Sequence, residues 1–153
     1  MLDALLKRIQ SVSLIDEIVL ATTAESESDP LADLADSRRI ACFRGSTLDV
    51  MGRVIGAASS VGPDVIVEIT GDCPLIDSGI VELAVKTYLA NSIDYVSNCI
   101  VKSFPDGMDL TSHTRSIRSL STSKAKSGDM TNELSFLPLL FFAIRAQSRS
   151  RSL

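Results

Sequence analysis

Asp64-Val65-Ile66-Val67-Glu68-Ile69, running into Thr70-Gly71-Asp72-Cys73-Pro74-Leu75-Ile76-Asp77, decides the fold. Its first six residues are rich in β-branched side chains and bounded by turn formers, the pattern of a buried strand. The next eight read as a loop, and Ile80 to Leu89 as a helix with Val81, Ala84, Val85 and Tyr88 on one face. The alternation continues in both directions. Upstream, Leu2, Leu5, Leu6 and Ile9 recur at helical spacing, and Ile15 to Ala21 reads as a short buried strand. Asp29-Pro30 opens a helix, with Asp29 as N-cap, Pro30 in the first turn and Leu31, Leu34 and Ala35 facing inward. A strand from Ile40 to Phe43 follows, then a helix presenting Leu48, Met51, Val54, Ile55 and Ala58. Downstream, Asp94-Tyr95-Val96 begins a further strand. Such alternation predicts an α/β fold, an open and mainly parallel sheet with flanking helices. Ligands of such sheets sit beyond the carboxyl ends of the strands, here at Arg44 to Thr47 and Thr70 to Asp77.

The chain has 153 residues, 45% hydrophobic and 22% charged, which fits one globular domain. Its longest apolar stretch, Phe136 to Ile144, contains Pro138 and is far shorter than the ~20 residues of a membrane-spanning helix. The N-terminus lacks the features of a secretory signal, so no membrane partner and a cytoplasmic location are expected. Net charge is -4, unevenly placed: residues 1–112 carry 8 basic and 17 acidic side chains, residues 113–153 carry 7 and 2. The acidic main body argues against nucleic acid as chief partner, because a phosphate backbone needs a cationic face. Cys42, Cys73 and Cys99 form no C-x-x-C pair, which speaks against structural zinc and for reduced thiols. His113 is the only histidine, so His-rich metal sites and Ser-His-Asp catalysis drop out.

Three constellations remain. Gly71 lets the backbone approach a ligand, and Asp72 stands where a carboxylate can bind a hard cation such as Mg2+. The same residues also suit plainer work: Asp72 a turn, Asp77 a helix cap near Gly79. Arg44-Gly45-Ser46-Thr47, with Asp49 and Arg53 following, offers a guanidinium, backbone N–H groups and hydroxyls to an anion; alternatively Thr47 is an ordinary N-cap with Asp49 in the first turn. Phe104-Pro105-Asp106-Gly107-Met108-Asp109 contains a strong turn signal that explains Asp106 and leaves Asp109 over. No G-x-G-x-x-G or G-x-x-x-x-G-K-[ST] occurs, so Rossmann-type and P-loop binding have no motif behind them.

In their order, five segments resemble the cytidylyltransferase family. They are Leu14 to Thr23, Phe43-Arg44-Gly45-Ser46 with Asp49-Val50, Val65 to Asp77, Asp94-Tyr95-Val96-Ser97-Asn98, and Phe104 to Asp109. The group most resembled is the spore coat polysaccharide biosynthesis protein F type, related to acylneuraminate cytidylyltransferases, and the resemblance covers about residues 1–110. It implies a GT-A-like nucleotide-diphospho-sugar transferase fold and transfer of CMP from CTP to a sugar, releasing pyrophosphate. On that reading Asp72 binds magnesium beside the α-phosphate, and Asp109 is a second acidic group near the metal. Both are the expected catalytic residues, with Arg44, Gly45, Ser46 and Gly71 around the nucleotide. The resemblance allows a homodimer.

Two departures shape the expectation. The family opens with a strand and a loop of Arg, Gly, Ser and Lys that holds the triphosphate, whereas Met1 falls after them. An acidic residue often follows the second aspartate, whereas this chain reads Leu110-Thr111-Ser112. The sequence thus divides into a partial, N-terminally truncated nucleotidyltransferase domain, 1–112, and a divergent Ser/Arg/Lys-rich tail, 113–153. A frameshift or a tail of its own kind would each produce the break. The tail is expected to be disordered over its last ten residues, with Phe136 to Ile144 packing poorly or driving association. Pyrophosphate release near background is expected of the chain as written. The alternatives are an inactive family fragment, a GT-A glycosyltransferase using a nucleotide-sugar donor, and a non-catalytic module whose basic tail docks an acidic partner.

Overall fold

The computed structural model describes residues 1–91, 93, 95–99, 104–105, 107–114 and 139–144. Expectations placed on Asp94, Asp106 and the last ten residues lie outside that set. The elements are α1 (Leu2–Ile9), β1 (Glu17–Thr23), a 3-10 turn (Ser26–Ser28), α2 (Asp29–Ser37), β2 (Ala41–Gly45), α3 (Val50–Val61) and β3 (Val65–Thr70), followed by α4 (Ser78–Ala90), β4 (Tyr95–Ser97), β5 (Thr111–Thr114) and β6 (Leu139–Ile144). All six strands form one sheet in the order β2-β1-β6-β3-β5-β4.

The α/β alternation is as expected, but the description of the sheet as mainly parallel needs correction. Among the described residues, β1 with β2 is the only parallel pair. Strand β6 runs antiparallel between β1 and β3, and β5 runs antiparallel between β3 and β4. Strands β1 to β4 therefore share one direction while two opposed strands separate them. Most of the ladder is antiparallel for that reason. Two strands, β5 and β6, reach or lie beyond the composition break at 113. The apolar run expected to pack poorly supplies β6, bonded along both edges inside the sheet.

Both faces of the sheet are covered. On one, Val19, Ala21 and Ile66 meet Val54, Ala57 and Ala58 of α3, with Phe43 packed alongside. On the other, Leu20, Val65, Val67 and Ile69 meet Leu5, Leu6 and Ile9 of α1, Ala35 of α2 and Val81 and Val85 of α4. Strand β3 is thus apolar on successive residues because each face has its own helix layer. Local boundaries differ from expectation where polar groups decide them. Asp49, not Thr47, caps α3 by accepting from the Gly52 N–H at 2.8 Å, so Leu48 falls before the helix and is exposed. Ser28 precedes α2, and Asp29 is its first residue. Among the described residues no helix is long and apolar enough to cross a membrane.

Helix α2 ends in a Schellman arrangement. The Arg39 N–H donates to the Asp36 carbonyl and the Ile40 N–H to the Ala35 carbonyl, both at 2.9 Å. This requires Arg39 at φ 55°, a left-handed conformation that costs an L-residue about 1–2 kcal/mol and glycine almost nothing. Glycine loses about 0.5–1 kcal/mol through its freer unfolded chain. The left-handed penalty is the larger, so Arg39→Gly should stabilise the fold by up to about 1 kcal/mol. A higher urea midpoint at unchanged slope is the expected result; a lower midpoint would contradict the backbone assignment.

Candidate functional site

Because β1, β2 and β3 point the same way, their carboxyl ends share one rim. At the end of β3 the chain turns through Gly71 and Asp72. The Cys73 N–H donates to the Thr70 carbonyl at 3.1 Å and closes the turn. Asp77 ends the loop by capping α4, its carboxylate accepting from the Gly79 N–H at 2.8 Å. That is the plainer role foreseen for it. Asp72 is exposed on the rim. Facing it is the segment that runs into β5. Gly107 sits there at φ 86°, a turn conformation suited to glycine, and a Cβ added to it would lie 3.9 Å from the Asp72 carbonyl oxygen.

The two segments enclose a cleft of about 490 Å³ lined by Thr70, Asp72, Cys73, Pro74, Leu75, Gly107 and Asp109. A smaller recess of about 110 Å³ adjoins it, lined by Glu68, Thr70, Cys99, Asp109 and Leu110. Thr70 and Asp109 stand on the wall between them. The structure therefore brings Asp72 and Asp109 into one cleft. Gly71 is buried in the turn behind and does not line it. Among the described lining residues the cleft holds two carboxylates and no Lys or Arg.

The second loop lies elsewhere on the rim. Strand β2 is separated from β3 by β1 and β6, roughly three strand spacings or about 14 Å. Arg44 does not offer a free cation there. Its Nε donates to the Thr23 carbonyl at 3.1 Å, and its Nη2 reaches the Ala24 and Glu25 carbonyls at 3.2 and 2.7 Å. The same Nη2 pairs with the Asp29 carboxylate at 2.7 Å. Ser46 accepts from the Asp49 N–H through its hydroxyl and from Arg53 Nη1 through its carbonyl. Gly45 is small because a Cβ there would stand 2.8 Å from Arg53 Cγ. The Asp49 carboxylate already occupies the N-terminus of α3. Arg44, Gly45 and Ser46 thus build this loop and do not enter the Asp72 cleft.

The sequence pattern of the cytidylyltransferase family matches residues 1–115. The chain belongs to the cytidylyltransferase family. A solved cytidylyltransferase from Leptospira borgpetersenii serovar Hardjo-bovis shares 34% identity and a TM-score of 0.76, over 81% of this chain and 52% of that one. An uncharacterized protein of Methanocaldococcus jannaschii is 38% identical over 96 residues, 63% of this chain and 40% of its own. The spore coat polysaccharide biosynthesis protein SpsF of Bacillus subtilis is 27% identical over 99 residues, 62% of this chain and 41% of its own. The chain spans about half or less of the length of these relatives.

In this cytidylyltransferase-family chain, two residues take supporting roles that the sequence did not assign to them: Arg53, which follows the Arg44 to Thr47 segment, and Cys73, inside the Asp72 turn. Arg53 is buried, and its Nη1 donates to the Ser46 and Thr47 carbonyls at 2.9 and 3.2 Å. Burial pulls its pKa down from the ordinary arginine value while the Asp49 charge opposes the shift. A single Arg four residues past Asp49 gave no sign in sequence that it points inward. Cys73 is the other. Its thiol lies 3.3 Å from the Thr70 hydroxyl and donates weakly to the Asp72 carboxylate at 3.7 Å. Burial pushes this thiol up from its usual value, the Asp72 and Asp109 charges add to the rise, and bonds from Thr70 and the Asp109 backbone oppose it. The side chain therefore stays a neutral thiol at pH 8, where less thiolate means slower alkylation. Partial burial also raises the Cys42 thiol, so iodoacetamide should label exposed Cys99 first and buried Cys73 last in the folded chain. Peptide mapping with Cys73 labelled fastest would contradict this.

Proposed function

We propose that this chain carries the cation-binding part of a site for transferring CMP from CTP to a sugar with release of pyrophosphate, Mg2+ being held at Asp72 and Asp109. One observation carries the reading: two carboxylates face one cleft on the ligand-binding rim with no cationic side chain among its described lining residues. A triphosphate cannot enter such a cleft alone, since like charges repel; with a divalent cation between, it can. The donor set fits magnesium, which takes hard oxygen ligands, needs only one or two carboxylates and completes its shell from water and phosphate. When bound, the cation would neutralise charge building on the transferring phosphoryl group.

The chain's own groups do the placing. Asp72 projects from the turn after β3, and Asp109 from the half-buried segment opposite. The neutral Cys73 thiol adds no third charge between them, and Pro74 and Leu75 give the cleft an apolar lip. Arg44, Gly45 and Ser46 serve by shaping the neighbouring loop, and Gly71 by making the turn. We read the sheet as GT-A-like on the strength of the solved relative's similarity. The name of the Bacillus relative supports a place in surface polysaccharide assembly.

The test is product analysis with the full chain, Mg2+ and a panel of sugars. Pyrophosphate released from CTP, above the rate with other nucleotides, supports the transferase. Nucleoside diphosphate released from a nucleotide-sugar would instead show a glycosyltransferase. CTP binding without turnover would make this an inactive member of the family.

A further inference from the structure

We propose that Asn98 is the positioning residue for Asp109, acting through the backbone on either side of it; the inference rests on the magnesium reading above. Asn98 directly follows β4, whose last registered pair joins Ser97 to Thr111 of β5. At the next position the side-chain amide replaces the ladder. Its Nδ2 donates to the Met108 carbonyl at 2.8 Å, and its Oδ1 accepts from the Leu110 N–H at 2.9 Å. The Cys99 thiol donates to the same Oδ1 at 3.5 Å. Both faces of the amide are thereby used, and its orientation is fixed: a flip would set donor against donor and acceptor against acceptor.

The two groups gripped belong to the residues immediately before and after Asp109. Carbonyl i−1 and N–H i+1 of an extended segment lie on the same edge. A clamp on both sets the rotation of the peptide planes flanking Asp109, and with it the direction of that side chain. A second anchor works with the clamp. Leu110 is fully buried, so the segment cannot slide without exposing it. On the other side Gly107 turns the chain at φ 86°. Asp109 thus lies between the Gly107 turn and the buried Leu110, its backbone bonded to the Cys73 thiol, and the Asn98 amide spans the residues on either side of it. A carboxylate meant to share a small cation with Asp72 needs such placement, because magnesium accepts little departure from its preferred geometry.

The test titrates Mn2+, a probe ion for the magnesium site, into the full-length chain and follows the EPR signal of the free ion. Asn98→Ala should weaken binding about 10-fold, the order seen when groups supporting metal ligands are removed. Asn98→Ser, which keeps a hydroxyl near the segment, should weaken it less and safeguards against a variant that does not fold. The deciding comparison is made in an Asp109→Asn background, where Asn98→Ala should change Mn2+ affinity less than 2-fold. A purely structural role would carry the same loss into that background and overturn the proposal. So would wild-type affinity in both Asn98 variants while Asp109→Asn is impaired; that result leaves the magnesium site standing. Wild type that binds no Mn2+ would overturn the site and this inference together.

Discussion

Asp72→Asn should lose the stabilisation that CTP with Mg2+ gives the wild-type chain, with nucleotide affinity down by at least about 10-fold, the scale on which even supporting groups of a metal site act. The substitution keeps the shape of the side chain and removes its charge. Asp72 is exposed and receives only a weak bond from the Cys73 thiol at 3.7 Å among the described residues, so the fold itself has little to lose. Surface changes away from caps and networks usually stay within about 0.5 kcal/mol. Ligand-induced stabilisation follows affinity through mass action, so melting curves at a fixed nucleotide excess read the loss directly. The expected pattern is an unchanged melting temperature without ligand and a vanished upward shift with CTP and Mg2+. An equal shift in wild type and variant would remove Asp72 from the site.

Gly56→Ala should destabilise the fold by about 1–3 kcal/mol, against the usual direction of such a change in a helix. Helix propensity alone favours alanine over glycine by about 1 kcal/mol. Here, however, an added Cβ would stand 2.2 Å from Phe43 Cζ and 2.7 Å from Cε1. Ring and helix would have to part, in a layer where Val54, Ala57 and Ala58 meet Val19, Ala21 and Ile66. Overpacking of this kind typically costs 1–3 kcal/mol and outweighs the propensity gain. Denaturant unfolding of the single variant and of Gly56→Ala with Phe43→Leu gives the check. The smaller side chain should recover most of the loss; a Gly56→Ala chain more stable than wild type would show that the ring does not lie where the structure puts it.

The parts of the fold legible in sequence were those with local causes. Val65, Ile66, Val67 and Ile69 announce a strand because both faces of β3 are covered, and Asp77 before Ser78-Gly79 announces a capped helix. Asp72 was legible as a carboxylate on a ligand-facing turn. Strand β6 was not. Leu139-Leu140-Phe141-Phe142-Ala143-Ile144 shows no period-two alternation, and a short apolar run does not reveal its type or its partners. Nothing local indicates that it inserts antiparallel between β1 and β3. The same limit hid the fate of Arg44, which reads as an available cation until the Thr23, Ala24 and Glu25 carbonyls are folded around it. Asn98 is a third instance. Its bonds to Met108 and Leu110 depend on β4 lying beside the segment that carries Asp109, a tertiary fact with no signature at position 98 itself.

The central claim is that a cleft with two carboxylates takes a nucleotide only in company with a cation. Calorimetric titration of CTP into the wild-type chain, once with Mg2+ and once with EDTA, tests it most directly. The account predicts a saturable heat of binding with Mg2+ and none with EDTA. Equal CTP affinity under both conditions would contradict it, and would mean that groups other than Asp72 and Asp109 receive the phosphates.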